Sequence, residues 1–189
     1  MDKEKIREGA RLILEGIGED LDRQGLQETP RRVARSFAEL CKGLGQYPGE
    51  ELTTFFDEDY EEMVVVRDIP FHSLCEHHLL PIVGKGDIVY MPKDGRIVGA
   101  SKLPRVLEVA SSKPQIQERL TSQVADILME EMEPYGVLVR VSAEHLCMTI
   151  RGIKKPGTRM TTSAIRGVFN KDKAARDEAL NLIDSPRRG

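Results

Sequence analysis

Two short segments concentrate residue types that bind metal ions. Residues 75–78 read Cys-Glu-His-His, and residues 144–147 read Glu-His-Leu-Cys. Thiolate and imidazole are the ligands that Zn²⁺ prefers, and a cysteine and a histidine three positions apart can reach one ion across a tight turn. Cys75 and His78 form such a pair, and Cys147 is the candidate for a third ligand. A Cys₂His site leaves one coordination position open, which is typical of catalytic rather than structural zinc.

His145 is open to two interpretations. As a fourth ligand it would complete a structural site, and the chain would be a non-catalytic, zinc-stapled domain that binds nucleotides or assembles with a partner. As a free imidazole beside the metal it would be a proton-transfer group. We favour the second interpretation, because a regular strand would place His145, Cys147 and Arg151 on one face. A strand face that carries an imidazole, a thiolate and a guanidinium does not pack in a hydrophobic core.

The elements that must position these residues follow an α+β order. Apolar periodicity predicts helices from about 3 to 21, from 29 to about 43, from 102 onward, from 114 to 132 and from 171 to 184. Strands are predicted at 63–69, 86–91, 137–150 and 158–169. Strands interrupted by a helical pair indicate an α+β fold with an antiparallel sheet. We expect residues 1–60 to form an N-terminal helical arm and linker, and residues 61–189 to form the catalytic domain with a C-terminal helix.

A second candidate site lies at the start of the helix predicted at 102. Lys102 and Arg105 share a helix face, and Ser101 is the expected N-cap. Cations in a first turn are unfavourable unless an anion binds there, so the cluster could bind phosphate. A solvated basic patch is an equal alternative on these residues alone. Glu118 could accept hydrogen bonds from N1–H and the 2-amino group of guanine, although an ordinary exposed glutamate is the stronger interpretation without further information.

Composition excludes several classes of protein. The 28 basic and 31 acidic residues give a net charge of −3, which does not indicate nucleic-acid binding. No apolar run approaches the roughly 20 residues that span a bilayer, so no membrane association is expected. Three cysteines argue against a disulfide framework and favour a reducing compartment. The charged first residues are unlike a signal peptide, and we expect a cytoplasmic protein.

Several segments, in this order and spacing, resemble the GTP cyclohydrolase I family, the zinc-dependent enzymes that open folate and pterin biosynthesis. The matching segments are residues 73–78, 98–105, 115–120, 145–147, 151–152 and 161–163. The resemblance implies a tunnelling fold (T-fold): a four-stranded antiparallel sheet with two helices on one face, joined between subunits into a barrel. It also implies a homodecamer of two stacked pentamers, with active sites at subunit interfaces.

The resemblance further implies a reaction and a set of roles. Cys75, His78 and Cys147 would hold Zn²⁺, and a water activated at the open position would attack C8 of GTP. His145 would protonate the imidazole nitrogen, formate would leave, and the ribose would rearrange and reclose to give 7,8-dihydroneopterin triphosphate. His77 would be a second acid/base group in the rearrangement, with Ser101 as its companion. Glu118 and Gln117 would anchor the guanine. The triphosphate would be bound by Lys102, Arg105 and Arg151, and by Arg31 from a neighbouring subunit.

Two alternative enzyme types are less consistent with these residues. A related cyclohydrolase could form a cyclic phosphate or stop at a formamide intermediate, but the zinc set and His77 argue against it. Tunnelling-fold enzymes of pterin or deazapurine metabolism share the anchoring glutamate and lack this zinc set.

Overall fold

A computed structural model of the chain describes residues 1–186, which divide into two compact units, Met1–Lys42 and the residues from Gly43 onward. The helices are α1 (Lys3–Gly16), α2 (Thr29–Leu40), α3 (Lys102–Ser111), α4 (Gln117–Met132), α5 (Leu146–Thr149), α6 (Val168–Lys171) and α7 (Lys173–Asp184), with a 3₁₀ turn at Pro48–Glu51. The strands are β1 (Phe55–Asp57), β2 (Val64–Cys75), β3 (Pro81–Met91), β4 (Arg96–Val98), β5 (Pro114–Gln115), β6 (Gly136–His145) and β7 (Met160–Gly167). The predicted α+β class is confirmed.

The first unit is a pair of packed helices, α1 and α2. Asp2 caps α1, because its carboxylate accepts a hydrogen bond from the Lys5 amide at 3.0 Å. The prediction that this helix reaches residue 21 is wrong: it ends at Gly16, and Gly18 follows with a positive φ of 86°. The amide of Gly18 donates to Glu15 O and that of Glu19 to Leu14 O, which closes the helix in a left-handed C-terminal turn.

The second unit is built on a sheet with the strand order β5-β2-β3-β6-β7. The four long strands are antiparallel, whereas β5, which was not predicted, pairs in parallel with the end of β2. A separate ribbon pairs β1 with β4. Leu52 is buried in the core of this unit. The expectation that arm and linker extend to residue 60 stays a prediction.

Alternation along β6 explains how the sheet is covered. Val137, Val139 and Val141 are fully buried in the main core, where they lie with residues of α3 and α4. Leu138 faces the other way, into a smaller cluster with Phe169 and with residues of α7. Helices therefore cover one face of the sheet along β6 and part of the other face. Among the described residues, no helix is long and apolar enough to cross a membrane.

Two predicted boundaries are wrong in ways that bear on function. The strand predicted to reach residue 150 ends at His145, where the ladder with β3 ends at the pair Ile82–His145. Residues beyond it lack that partner and form the single helical turn α5, so Cys147 and Arg151 do not share a strand face with His145. The helix predicted from 114 begins at Gln117, because residues 114–115 pair with β2 instead.

Candidate metal centre and active site

The first two proposed metal ligands lie on a tight turn between β2 and β3. Cys75 ends β2, and its amide donates to Leu80 O at 2.8 Å. Its carbonyl accepts hydrogen bonds from the amides of His78 (3.2 Å) and Leu79 (2.7 Å), and Leu79 takes a positive φ of 54°. This backbone bonding holds the cysteine and the histidine on the same side of the turn.

Cys147 in α5 brings a third ligand atom to this turn. The ligand atoms of Cys75, His78 and Cys147 all lie within 4.8 Å of one another. Cys75 Sγ is 3.7 Å from His78 Nδ1, and a tetrahedral zinc ion would separate such a sulfur and nitrogen by about 3.6 Å. The donor types and their spacing therefore fit Zn²⁺. Within residues 1–186 the metal-capable group has these three members, and His145 is not one of them.

The surroundings of Cys147 favour the neutral form of its thiol. Burial raises the pKa of Cys147, and the neighbouring Cys75 raises it further, while the charge of Arg151 lowers it. The Arg151 guanidinium donates to Cys147 O at 3.3 Å, and its Nη1 lies 3.2 Å from His78 Nε2. Among the described residues, the positively charged Arg151 thus contacts two members of the metal group. A divalent cation would stabilise both thiolates.

His145 lies beside this group at the end of β6, buried and hydrogen-bonded. Its Nε2 is 2.9 Å from Oε1 of Gln117, whose side chain is 1% exposed. Burial lowers the pKa of His145, and the charge of Glu118 opposes that effect. The ring is therefore largely withdrawn from water, and Gln117 is its hydrogen-bond partner.

A cavity of about 200 Å³ opens at the metal group. Its lining combines thiols, imidazoles, a carboxylate and apolar side chains: Cys75, His77, His78, Gln115, Ile116, Glu118, His145, Cys147, Met148 and Met160. Glu118 is an exposed residue in the first turn of α4, so its carboxylate is free to meet a ligand in the cavity. The cavity brings a metal-binding group, two imidazoles and a hydrogen-bond acceptor together.

The basic cluster at the start of α3 contributes no residue to the lining of this cavity. Ser101 is the N-cap of α3 and makes no side-chain capping bond. Lys102 Nζ donates to Thr53 Oγ1 at 2.7 Å, and Arg105 pairs with Glu51 at 3.7 Å. The C-terminal end of α3 leads into β5, which pairs with the end of β2 at Cys75. Within the described part of the chain, the residues that line the cavity do not include Ser101, Lys102 or Arg105.

Arg31 belongs to the first unit. It is exposed on α2, where it pairs with Glu28 at 2.7 Å. Its expected contact with a triphosphate stays a prediction.

The sequence interpretation missed a brace that fixes the metal turn to α4. Arg119 forms an ion pair with Glu76 in the turn, and its Nε donates to Gln115 Oε1 at 3.0 Å. The Glu76 amide donates to Gln115 O at 3.2 Å, and Gln115 is 1% exposed. The four-residue spacing of Gln115 and Arg119 could have indicated their mutual contact. The contact with Glu76 could not be found from the sequence, because it depends on the parallel pairing of β5 with β2.

Comparisons with known proteins cover nearly the whole chain. The family model of GTP cyclohydrolase I matches residues 6–184. A protein named GTP cyclohydrolase 1 from Clostridioides difficile is 58% identical over 184 residues, which are 97% of this chain and 97% of the relative. A protein of the same name from Carboxydothermus hydrogenoformans is 55% identical over 190 residues, covering 100% of this chain and 99% of the relative.

A solved structure, an archaeosine synthase QueF-Like in the apo form, is also similar. It has 14% sequence identity and a TM-score of 0.47, over 58% of this chain and 97% of that chain.

Proposed function

The chain belongs to the GTP cyclohydrolase I family, and from this premise we propose that it opens the guanine imidazole ring of GTP by hydrolysis. Formate leaves, and the opened nucleotide rearranges and recloses to 7,8-dihydroneopterin triphosphate, the first step of tetrahydrofolate and pterin biosynthesis. The observation that carries the proposal is the cavity shared by the Cys₂His group, His145 and Glu118.

The catalytic roles follow from what each side chain can do in that cavity. Cys75, His78 and Cys147 would hold Zn²⁺, and the ion would supply the activation of a water molecule for attack at C8. His145 donates a proton to the imidazole nitrogen as the C–N bond breaks. His77, exposed on the metal turn, serves as a second acid/base group in the rearrangement, with Ser101 as its companion.

A direct assay tests the reaction. Zinc-loaded protein is incubated with GTP, formate is measured enzymatically, and the product is followed by absorbance and mass. One formate per nucleotide, with the mass of dihydroneopterin triphosphate, is the expected result. Zinc bound at one ion per chain without any turnover would contradict the proposal and favour the zinc-stapled binding domain.

Glu118 anchors the guanine in this proposal, and Glu118→Gln tests it. A carboxylate accepts from both N1–H and the 2-amino group, whereas an amide presents a donor to one of them, so KM for GTP should rise by about 10- to 100-fold. Kinetics with GTP and with inosine triphosphate, which lacks the 2-amino group, measure the effect. The preference for GTP should shrink in the variant while zinc content is unchanged.

Glu130→Gln is the matched control, since Glu130 lies near the other end of α4. It should retain both the KM and the preference for GTP. Unchanged kinetics in Glu118→Gln would return Glu118 to the class of ordinary exposed glutamates.

The triphosphate is bound by Lys102, Arg105 and Arg151 in the proposed complex, with Arg31 reaching it from another subunit. Arg151 already contacts the metal group of its own chain. Within the described residues, the α3 cluster does not line the cavity of its own chain, which supports a site that one subunit's cavity and a neighbour's α3 complete together. The outer edge of β7 supports sheet pairing between subunits, because β7 pairs only with β6 within the described sheet. A T-fold barrel and a decamer of two pentamers are the assembly that we propose.

Co-expression of two inactive variants tests the shared site. One subunit carries Cys147→Ala and the other carries Lys102→Ala with Arg105→Ala, so each lacks a different half. Random co-assembly should rebuild roughly one quarter of the sites, and formate release should rise to about that fraction of the unmodified rate.

A pair of metal-ligand variants, Cys75→Ala with Cys147→Ala, is the control, since no mixture of them restores a complete metal group. Activity in the first mixture no higher than the sum of its parts would show that each chain completes its own site.

The three free cysteines support a further proposal, a cytoplasmic location, because a reducing compartment keeps thiols unpaired.

A further inference from the structure

We infer that Gln117 is a positioning residue for His145: its side-chain carbonyl accepts a hydrogen bond from Nε2–H of the imidazole, which leaves Nδ1 as the ring atom that exchanges protons. This inference rests on the proposed function, because it assigns the atom through which His145 acts. It also differs from the direct contact with guanine that the family resemblance implies for Gln117.

The orientation of the Gln117 amide follows from its partners. Its Nε2 lies 3.0 Å from Val141 O and 2.9 Å from Met160 O. Both partners are carbonyl oxygens, which only accept, so the amide nitrogen must face them. The reverse orientation would press the amide oxygen against two carbonyl oxygens. Oε1 therefore faces His145 Nε2 at 2.9 Å, and since Oε1 only accepts, Nε2 must carry the hydrogen.

Two threonines hold the Gln117 segment in this arrangement. Thr121 Oγ1 donates to Gln117 O at 2.7 Å, so its own hydrogen is committed. Thr162 Oγ1, 2.6 Å from Thr121 Oγ1, must then donate to it. That leaves Thr162 as an acceptor for Gln117 Nε2, at 3.2 Å. Every donor has an acceptor, and such a satisfied network specifies one arrangement.

Burial makes this arrangement persistent. Gln117 and Thr121 are each 1% exposed, and His145 is 9% exposed, so water competes little for these bonds. The backbone groups that hold Gln117 come from β6 and β7, while His145 ends β6. The Gln117 amide is thus fixed to the sheet, and its bond to His145 fixes the orientation of the imidazole, as outer partners do for metal-bound or catalytic histidines.

The arrangement has a chemical consequence for the proton step. A neutral imidazole with a hydrogen on Nε2 has its lone pair on Nδ1. The proton delivered to the guanine imidazole nitrogen therefore leaves from Nδ1, and His145 ends the step as the neutral Nε2–H form. The bond to Gln117 is present before and after the transfer. Its loss should slow the chemical step without weakening substrate binding.

Nuclear magnetic resonance of ¹⁵N-histidine-labelled, zinc-loaded protein tests the assignment without any turnover. The neutral His145 ring should show a protonated Nε2 and a bare Nδ1, with its signals identified by their absence from His145→Ala. A bare Nε2 with a protonated Nδ1 would overturn the inference. Because this measurement needs no GTP, its outcome is separate from that of the proposed reaction, which the formate assay decides.

Gln117→Met gives the kinetic test, since methionine matches the length of glutamine and cannot accept this bond. We expect kcat to fall by about 100-fold, with zinc content, melting temperature and the KM for GTP within about threefold of the unmodified protein. Gln46→Met is the matched control, because it makes the same substitution at an exposed glutamine outside the cavity lining, and its kcat should stay within about fivefold.

A raised KM with unchanged kcat in Gln117→Met would instead indicate a direct substrate contact and overturn the inference. If that variant does not melt cooperatively, the resonance measurement on the unmodified protein decides alone.

Discussion

Cys147→Ala should lose zinc and activity together. The variant keeps two of the three ligand atoms that lie within 4.8 Å of one another, and two ligands do not hold the ion firmly. Loss of an outer partner of a ligand costs 10- to 100-fold in affinity, so loss of a ligand itself should cost more than about 100-fold. Metal analysis after dialysis should find well below one zinc per chain, and formate release from GTP should fall to background.

Cys41→Ala is the control for this experiment. Cys41 is also a buried free cysteine, and burial raises the pKa of its thiol, so it is expected to be unreactive. This variant should retain one zinc per chain and full turnover. A Cys147→Ala protein that still bound zinc stoichiometrically would show that the ion is held elsewhere.

His145→Ala should separate the metal from the chemistry. Because His145 Nε2 is engaged by Gln117 and the ring is outside the three-membered metal group, the variant should retain about one zinc per chain. If His145 is the proton donor that we propose, kcat for ring opening should fall by about 10²- to 10⁴-fold. Single-turnover assays of formate release, alongside metal analysis of the same sample, measure both effects.

The outcome also separates the two interpretations of His145. Loss of zinc from His145→Ala would identify His145 as a ligand and favour the zinc-stapled domain. His72→Ala is the control, because His72 is an exposed histidine of β2 outside the cavity lining. It should change neither zinc content nor kcat.

Local sequence patterns predicted the parts of the site that local structure builds. The spacing of Cys75 and His78 is satisfied by one turn, and Lys102 and Arg105 do begin a helix. Cys147 was identified as a third ligand from its residue type; the strand assumed at this position is wrong, because Cys147 comes to the turn on a helical turn. The residue type was sufficient to suggest the chemistry, although the assumed backbone was wrong.

Other parts of the site depend on pairing between distant strands, which periodicity does not reveal. Strand β6 ends at the residue beyond which β3 no longer pairs with it. The bonds of Gln117 to Val141 O and Met160 O require the particular register of β6 and β7. These hydrogen bonds cannot be predicted from a glutamine at position 117. The sequence therefore indicated Gln117 only as the neighbour of Glu118.

The separation of the metal ligands along the chain imposes an order on maturation. Cys75 and His78 leave the ribosome together, but Cys147 follows only after α3, α4 and β6 have been synthesised. Until β6 pairs with β3, a nascent chain offers an ion two ligands, which retain it weakly. Zinc retention would then report that β6 has paired with β3. Truncated or misfolded chains would remain metal-free, so metal content would distinguish them from completely folded chains.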